Sequence, residues 1–166
     1  MAVGTFVSVE EYLHTSYRPD CDYVDCEVQE RNLGERDHSS AQGEILFYLL
    51  TRYHRLRGRV LPEQRVQVKT ERFRVPDICV LAEGAPNEQI ITFPPILCIE
   101  ILSPEDGMSR YLERVKDYFD LGVPSCWIID PVLRRAWAAT PGILAEATDR
   151  ILHAGELEMP LDAVLE

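Results

Sequence analysis

Asp77 and Glu100 are the residues whose setting most demands a chemical explanation. Each is the single acid in a short apolar run: Val75-Pro76-Asp77-Ile78-Cys79-Val80-Leu81, and Pro95-Ile96-Leu97-Cys98-Ile99-Glu100-Ile101-Leu102-Ser103. Runs of this length and composition read as strands buried on both faces. An ionised carboxylate in such a strand is destabilising unless a charge or hydrogen bonds compensate it. Strand alternation puts Asp77, Cys79 and Leu81 on one face, and Ile96, Cys98, Glu100 and Leu102 on one face of the other run. If the two faces coincide, the carboxylates converge, and a shared divalent cation is the simplest compensation. Two carboxylates with backbone carbonyl and water form an all-oxygen donor set, which selects Mg²⁺ or Mn²⁺ over zinc. Such an ion activates water and neutralises charge on a phosphate during transfer.

The elements that must position this pair are legible in outline. Ser8-Val9-Glu10-Glu11 resembles a capping box and predicts a short helix over about 9–15. Residues 22–31 alternate imperfectly and read as a strand or hairpin. Ile45, Leu46, Leu49, Leu50 and Tyr53 recur at helical spacing, predicting a helix over about 38–57 that Gly58 stops. Strands are expected near 59–69, 74–82 and 95–103. A second amphipathic helix follows over about 107–121, with Tyr111, Leu112, Val115, Tyr118 and Phe119 on its apolar face and Gly122 at its end. Strands at 126–129 and 133–140 should pair, with a short strand near 150–153 and a terminal turn at 161–165. Trp127 and Tyr118 lie on apolar stripes and read as core rather than as base-stacking platforms. Asp130, before Pro131, reads as a turn residue.

The pattern fits one α/β domain over residues 1–166, with neither repeat nor linker. No apolar stretch approaches the roughly 18–20 residues that span a bilayer. The segment 1–7 lacks the features of a signal peptide, so a cytoplasmic protein is expected. Five cysteines without a C-x-x-C pair read as buried thiols rather than a zinc site. The net charge of −11 is concentrated at the two ends: residues 1–30 hold seven acids and one base, and residues 142–166 six acids and one base. Residues 51–75 instead hold eight bases against two acids. Arg55, Arg57, Arg65 and Lys69 within that stretch are weak candidates for phosphate contacts. The alternative is a solvated helix end and exposed strand faces. His14, His54 and His153 read as surface residues.

The ordered motifs Pro76-Asp77, Glu100 with Ser103-Pro104, Lys116-Asp117-Tyr118, Gly122-Val123-Pro124 and Trp127-Ile128-Ile129-Asp130-Pro131 resemble a known pattern. It is that of the putative restriction endonuclease family, mostly uncharacterised bacterial proteins of the PD-(D/E)XK nuclease superfamily. The likeness runs over about residues 5–140, with the motif-bearing core at about 20–140. It implies a restriction-endonuclease-like core, a central mixed β-sheet flanked by α-helices, with a metal at the sheet. Asp77 and Glu100 match the family's metal ligands. The third position of the (D/E)XK element is Leu102 here. Lys116 matches the lysine that the family places on the following helix, where it would orient the attacking water or offset developing negative charge. Asp22 stands where the family shows a glutamate, and Cys26 where it shows a glycine; Asp22 is an accessory candidate as an outer ligand. His38 matches a histidine at the start of the long helix, suited either to a phosphate or proton transfer or to a structural place beside the cap.

The leading reading is a metal-dependent endonuclease hydrolysing DNA phosphodiesters, acting as a homodimer that would widen the groove and supply two cuts. Its competitor is a nuclease-like fold kept as a binding or regulatory module, favoured by the departures at Asp22 and Cys26 and by the acidic ends. A carboxylate-pair glycosidase needs an acid and a base in an open cleft. Acids set inside strands suit that poorly.

Overall fold

A computed structural model describes residues 6–31 and 34–165, so most of the segment 1–7 lies outside the described residues. Its centre is a six-stranded mixed sheet in the order β10-β9-β8-β7-β6-β3. The strands are β3 (Val60–Pro62), β6 (Ile78–Val80), β7 (Leu97–Ile101), β8 (Cys126–Asp130), β9 (Arg135–Thr140) and β10 (Ile143–Glu146). Only the β7–β8 pair is parallel. A parallel pair needs a crossover, and the helix α3 (Met108–Leu121) provides it.

Both faces of this sheet are covered, which explains the unbroken apolar runs. Ile78, Val80, Leu97, Ile99 and Ile101 pack with Ala41, Ile45 and Leu49 of the helix α2 (Arg36–Arg52). The C-terminal hairpin of β11 (Ile151–Ala154) and β12 (Leu157–Pro160) shares that core through Leu152, Leu157 and Met159. The alternate residues Cys79, Cys98, Cys126 and Ile128 face Tyr111, Val115 and Tyr118 of α3. All three of these cysteines, and Cys21, are buried as free thiols.

A second sheet, ordered β2-β1-β5-β4, joins β1 (Asp22–Val24), β2 (Glu27–Gln29), β4 (Val66–Lys69) and β5 (Arg72–Arg74). Tyr12, on the short helix α1 (Val9–His14), packs there with Tyr23 and Phe73. The Ser8 hydroxyl accepts from the amide of Glu11 at 3.1 Å, closing the expected cap.

Several expected elements divide or end early. The run 59–69 becomes β3 and β4 in different sheets, broken at Glu63, whose φ is +53°. The run 74–82 likewise splits around Val75-Pro76-Asp77, because proline cannot donate to a ladder. The long helix stops at Arg52 rather than 57, and a 3₁₀ turn over His54–Leu56 follows before Gly58. Both β10 and β12 are additions to the expected strands. As expected, Trp127 is fully buried, its indole donating to the His153 carbonyl at 3.2 Å. Asp130 Oδ1 accepts from the amides of Val132 and Leu133, as a turn residue does.

Candidate active site

The antiparallel register of β6 and β7 pairs Ile78 with Ile99 and Cys79 with Cys98. Continued by one residue, it sets Asp77 opposite Glu100, on the face turned toward α3. Directly opposed residues have Cα atoms only about 4.5–5.5 Å apart. Both carboxylates line one small pocket of about 30 Å³, with Arg31, His38, Ser103, Asp106, Arg110, Tyr111 and Arg114 also contributing. Such a volume is on the scale of one or two water molecules.

Asp77 is 3 % exposed and held by three donors. Its Oδ2 accepts from the Ile101 amide at 2.7 Å. Its Oδ1 lies 2.7 Å from Arg31 Nη2 and 3.2 Å from His38 Nε2. Burial alone would raise its pKa, but the His38 hydrogen bond and the Arg31 charge prevail and lower it. His38 shows the mirror effect. Burial opposes its protonation, yet the bond to Asp77 and that residue's charge raise its pKa.

Glu100 is 1 % exposed and differently placed. Its Oε1 accepts from the Tyr118 hydroxyl and lies 3.0 Å from Arg114 Nε. That nitrogen is off the line of a hydrogen bond, so the contact is an ion pair rather than a directed bond. Burial pushes the Glu100 carboxyl up to about 7, against the pull of Arg114 and with the help of the Asp77 charge. Two opposed carboxylates whose pKa values diverge are a recurrent sign of a functional site.

Arg114 is fixed from behind. Its Nη1 pairs with Asp22 on β1, and its Nη2 donates to the Val75 carbonyl at 2.8 Å. Asp22 also accepts from the Val75 amide at 2.9 Å and from Arg74 at 3.1 Å. Arg74 and Arg72 in turn hold Asp117 of α3. Asp22 is thus spent on positioning arginines and does not line the pocket.

Lys116 stands elsewhere. Its side chain is 71 % exposed and its Nζ pairs with Asp120 at 3.0 Å. The basic residue of α3 that meets Glu100 is Arg114, two residues earlier. The basic stretch is dispersed as well: Arg55 pairs with Glu156, Arg65 with Asp20 and Lys69 with Asp120. Arg57 is exposed and lines a separate cleft with Arg59 and Gln64. None of these four lines the carboxylate pocket, and three of them meet acids distant in sequence instead.

The profile of the family described as "Putative restriction endonuclease" matches residues 9–164. The chain belongs to this family. A solved structure from Anabaena variabilis ATCC 29413, described as a putative nuclease belonging to DUF820, superposes with a TM-score of 0.78 at 20 % identity. That match covers 95 % of this chain and 97 % of the other. The fold is thus the restriction-endonuclease-like α/β fold. No curated protein matches the chain.

Within the family's pattern, the departure at Cys26 acquires physical meaning. Cys26 has φ +71° beside Asp25 at +50° in the β1–β2 turn. This is the left-handed conformation glycine adopts without strain, hence the glycine expected there. The missed residues are Arg31 and Arg114. Arg114 had a signal, since a base at i−4 from Tyr118 and i+3 from Tyr111 sits on the apolar stripe. Arg31 had none, because it reaches Asp77 only through the tertiary fold.

The divalent ion implied by the family can be tested against these donors. Among the described residues no group of three or more His, Cys, Asp or Glu side chains could hold a metal. Two carboxylates do suit Mg²⁺, which commonly keeps several waters and takes one or two protein carboxylates. The mutual repulsion at Glu100 is what a cation would relieve. The donor chemistry fits, and an ion bound through Asp77 Oδ1, which already holds two donors, displaces one of them.

Proposed function

We propose that the protein is a metal-dependent endonuclease acting on DNA phosphodiesters, with Asp77 and Glu100 holding one Mg²⁺ or Mn²⁺. The observation that carries this reading is the register opposition of the two carboxylates in one small pocket of a chain whose family is described as "Putative restriction endonuclease". The ion would supply charge neutralisation and an activated water. Arg114, held by Asp22 and Glu100, contributes fixed positive charge beside the reacting phosphate, the role expected of Lys116. His38, oriented through Nε2 by Asp77, is placed to hold a phosphate oxygen or carry a proton. Arg110 adds a third guanidinium to the pocket. A homodimer would set two such pockets along one duplex, which sedimentation of the purified protein tests.

The test is cleavage of plasmid and single-stranded DNA with Mg²⁺ or Mn²⁺, alongside calorimetric titration of the metal. Loss of both binding and cleavage in Asp77→Asn is expected. An Asp77→Asn protein that bound metal and cut normally would refute the assignment. The non-catalytic module has its own support, since Arg31 and Arg114 already balance both carboxylates. Metal binding with no cleavage of either DNA would favour it.

A further inference from the structure

On the reading that a divalent ion binds at Asp77, we propose that Arg31 is that ion's built-in competitor, an exchangeable counter-ion that swings on Glu63. An ion that takes Asp77 Oδ1 must displace a donor. The Ile101 amide is fixed by β7, and His38 is fixed on the first turn of α2. Arg31 lies outside any helix or strand, and its Nη1 pairs with Glu63 while Nη2 holds Asp77. Of these three donors it alone already grips a second acid.

Glu63 is built as that anchor. Its amide donates to the Asp77 carbonyl at 3.2 Å, continuing the β3–β6 ladder at a residue with φ +53°. Gln42 Nε2 lies 2.9 Å both from Glu63 Oε1 and from the Asp77 carbonyl. The Glu63 carboxylate is thus oriented by Gln42 and Arg31, and its backbone moves with the residue that Arg31 must release. Arg31 is half-buried and stays charged: burial opposes its charge, but Asp77 and Glu63 prevail and raise its pKa. Released from Asp77 but kept by Glu63, the guanidinium remains at the pocket, where a phosphate is the natural new partner.

Mn²⁺ affinity of the full chain, measured by calorimetry, tests this without relying on cleavage. Arg31→Met should bind Mn²⁺ about tenfold more tightly, because no charge-assisted bond has to break first. Glu63→Gln should bind more weakly than wild type, since Arg31 then has Asp77 alone. In the Arg31→Met background, Glu63→Gln should have no further effect, whereas general electrostatics would make the two changes additive. Should Arg31→Met fail to fold, Arg31→Lys should show a smaller gain of the same sign. Unchanged or weaker binding in the Arg31 variants, or additivity in the double variant, overturns the exchange. Equal binding by wild type and Asp77→Asn would instead overturn the metal site itself.

Discussion

Glu100→Gln, examined without metal, should change how stability depends on pH more than it changes stability at any one pH. Glu100 is 1 % exposed, and its carboxyl is pushed from 4.5 up to about 7. A folded pKa above the unfolded one means that the native state binds more protons between those values. Stability is therefore lost as pH rises through about 4.5–7 and then levels off. At 1.36 kcal/mol per unit, the loss attributable to Glu100 is about 3 kcal/mol. Glutamine cannot ionise, so the variant lacks this loss whatever its packing costs. Asp77, whose pKa is lowered, loses its contribution only as pH falls below its ordinary value, outside the window. His38, whose pKa is raised, contributes stability below its ordinary value that fades at higher pH, but it does so in both proteins. Urea unfolding in EDTA at intervals from pH 4.5 to 8 isolates the difference between the two curves. The stability gap should move in the variant's favour by about 3 kcal/mol, or about 6–12 °C in Tm for a chain of this size. Parallel curves would refute the argument that Glu100 is a desolvated carboxylate opposed to Asp77.

The neighbouring residues carry further expectations. Tyr118→Phe removes the hydroxyl that favours the ionised carboxylate, so the titration of Glu100 should move above about 7 in the same pH series; a titration that stays in place would discount that bond. Arg114→Met leaves Asp22 and Glu100 buried without their shared partner and should destabilise by about 3–5 kcal/mol in urea unfolding. Lys116→Ala, at an exposed side chain paired to Asp120, should stay within about 0.5 kcal/mol of wild type; similar losses in the two variants would contradict their placement. Cys26→Gly relieves a left-handed residue in the β1–β2 turn and should stabilise by about 1 kcal/mol, seen as a Tm higher by about 2–4 °C.

Much of the fold is written in local pattern. The two buried runs, the amphipathic helix ended by Gly122, and the strand before Asp130-Pro131 each announce themselves by periodicity and a stop signal. The breaks are harder. Glu63 takes φ +53° without being a glycine, so nothing in its type marks the point where one expected strand becomes β3 and β4. The strand β10 is exposed along its whole length, and an edge strand without a buried face has no alternation to read. Charge is harder still. Eight bases in 51–75 look like a surface patch, yet Arg72 and Arg74 turn inward to Asp117 and Asp22, and others meet acids far away in sequence.

The site shows why a residue's type can mislead when its position does not. A lysine was expected on α3, and Lys116 is the only lysine of that helix. Yet helical geometry puts residue 116 on the solvent side, while residues 111, 114, 115 and 118 share the buried stripe. The task at residue 114 is to meet Glu100 on the six-stranded sheet, Asp22 on the four-stranded sheet and the Val75 carbonyl between them. A lysine ammonium is a compact point charge and cannot span three partners so disposed; a planar guanidinium with five donors can. Arg114 therefore both places positive charge at the pocket and ties the two sheets together. Arg114→Lys tests that union, since it keeps the charge but loses the span. It should weaken folding and loosen the pocket together, whereas a loss of only one would show that the two roles are separable.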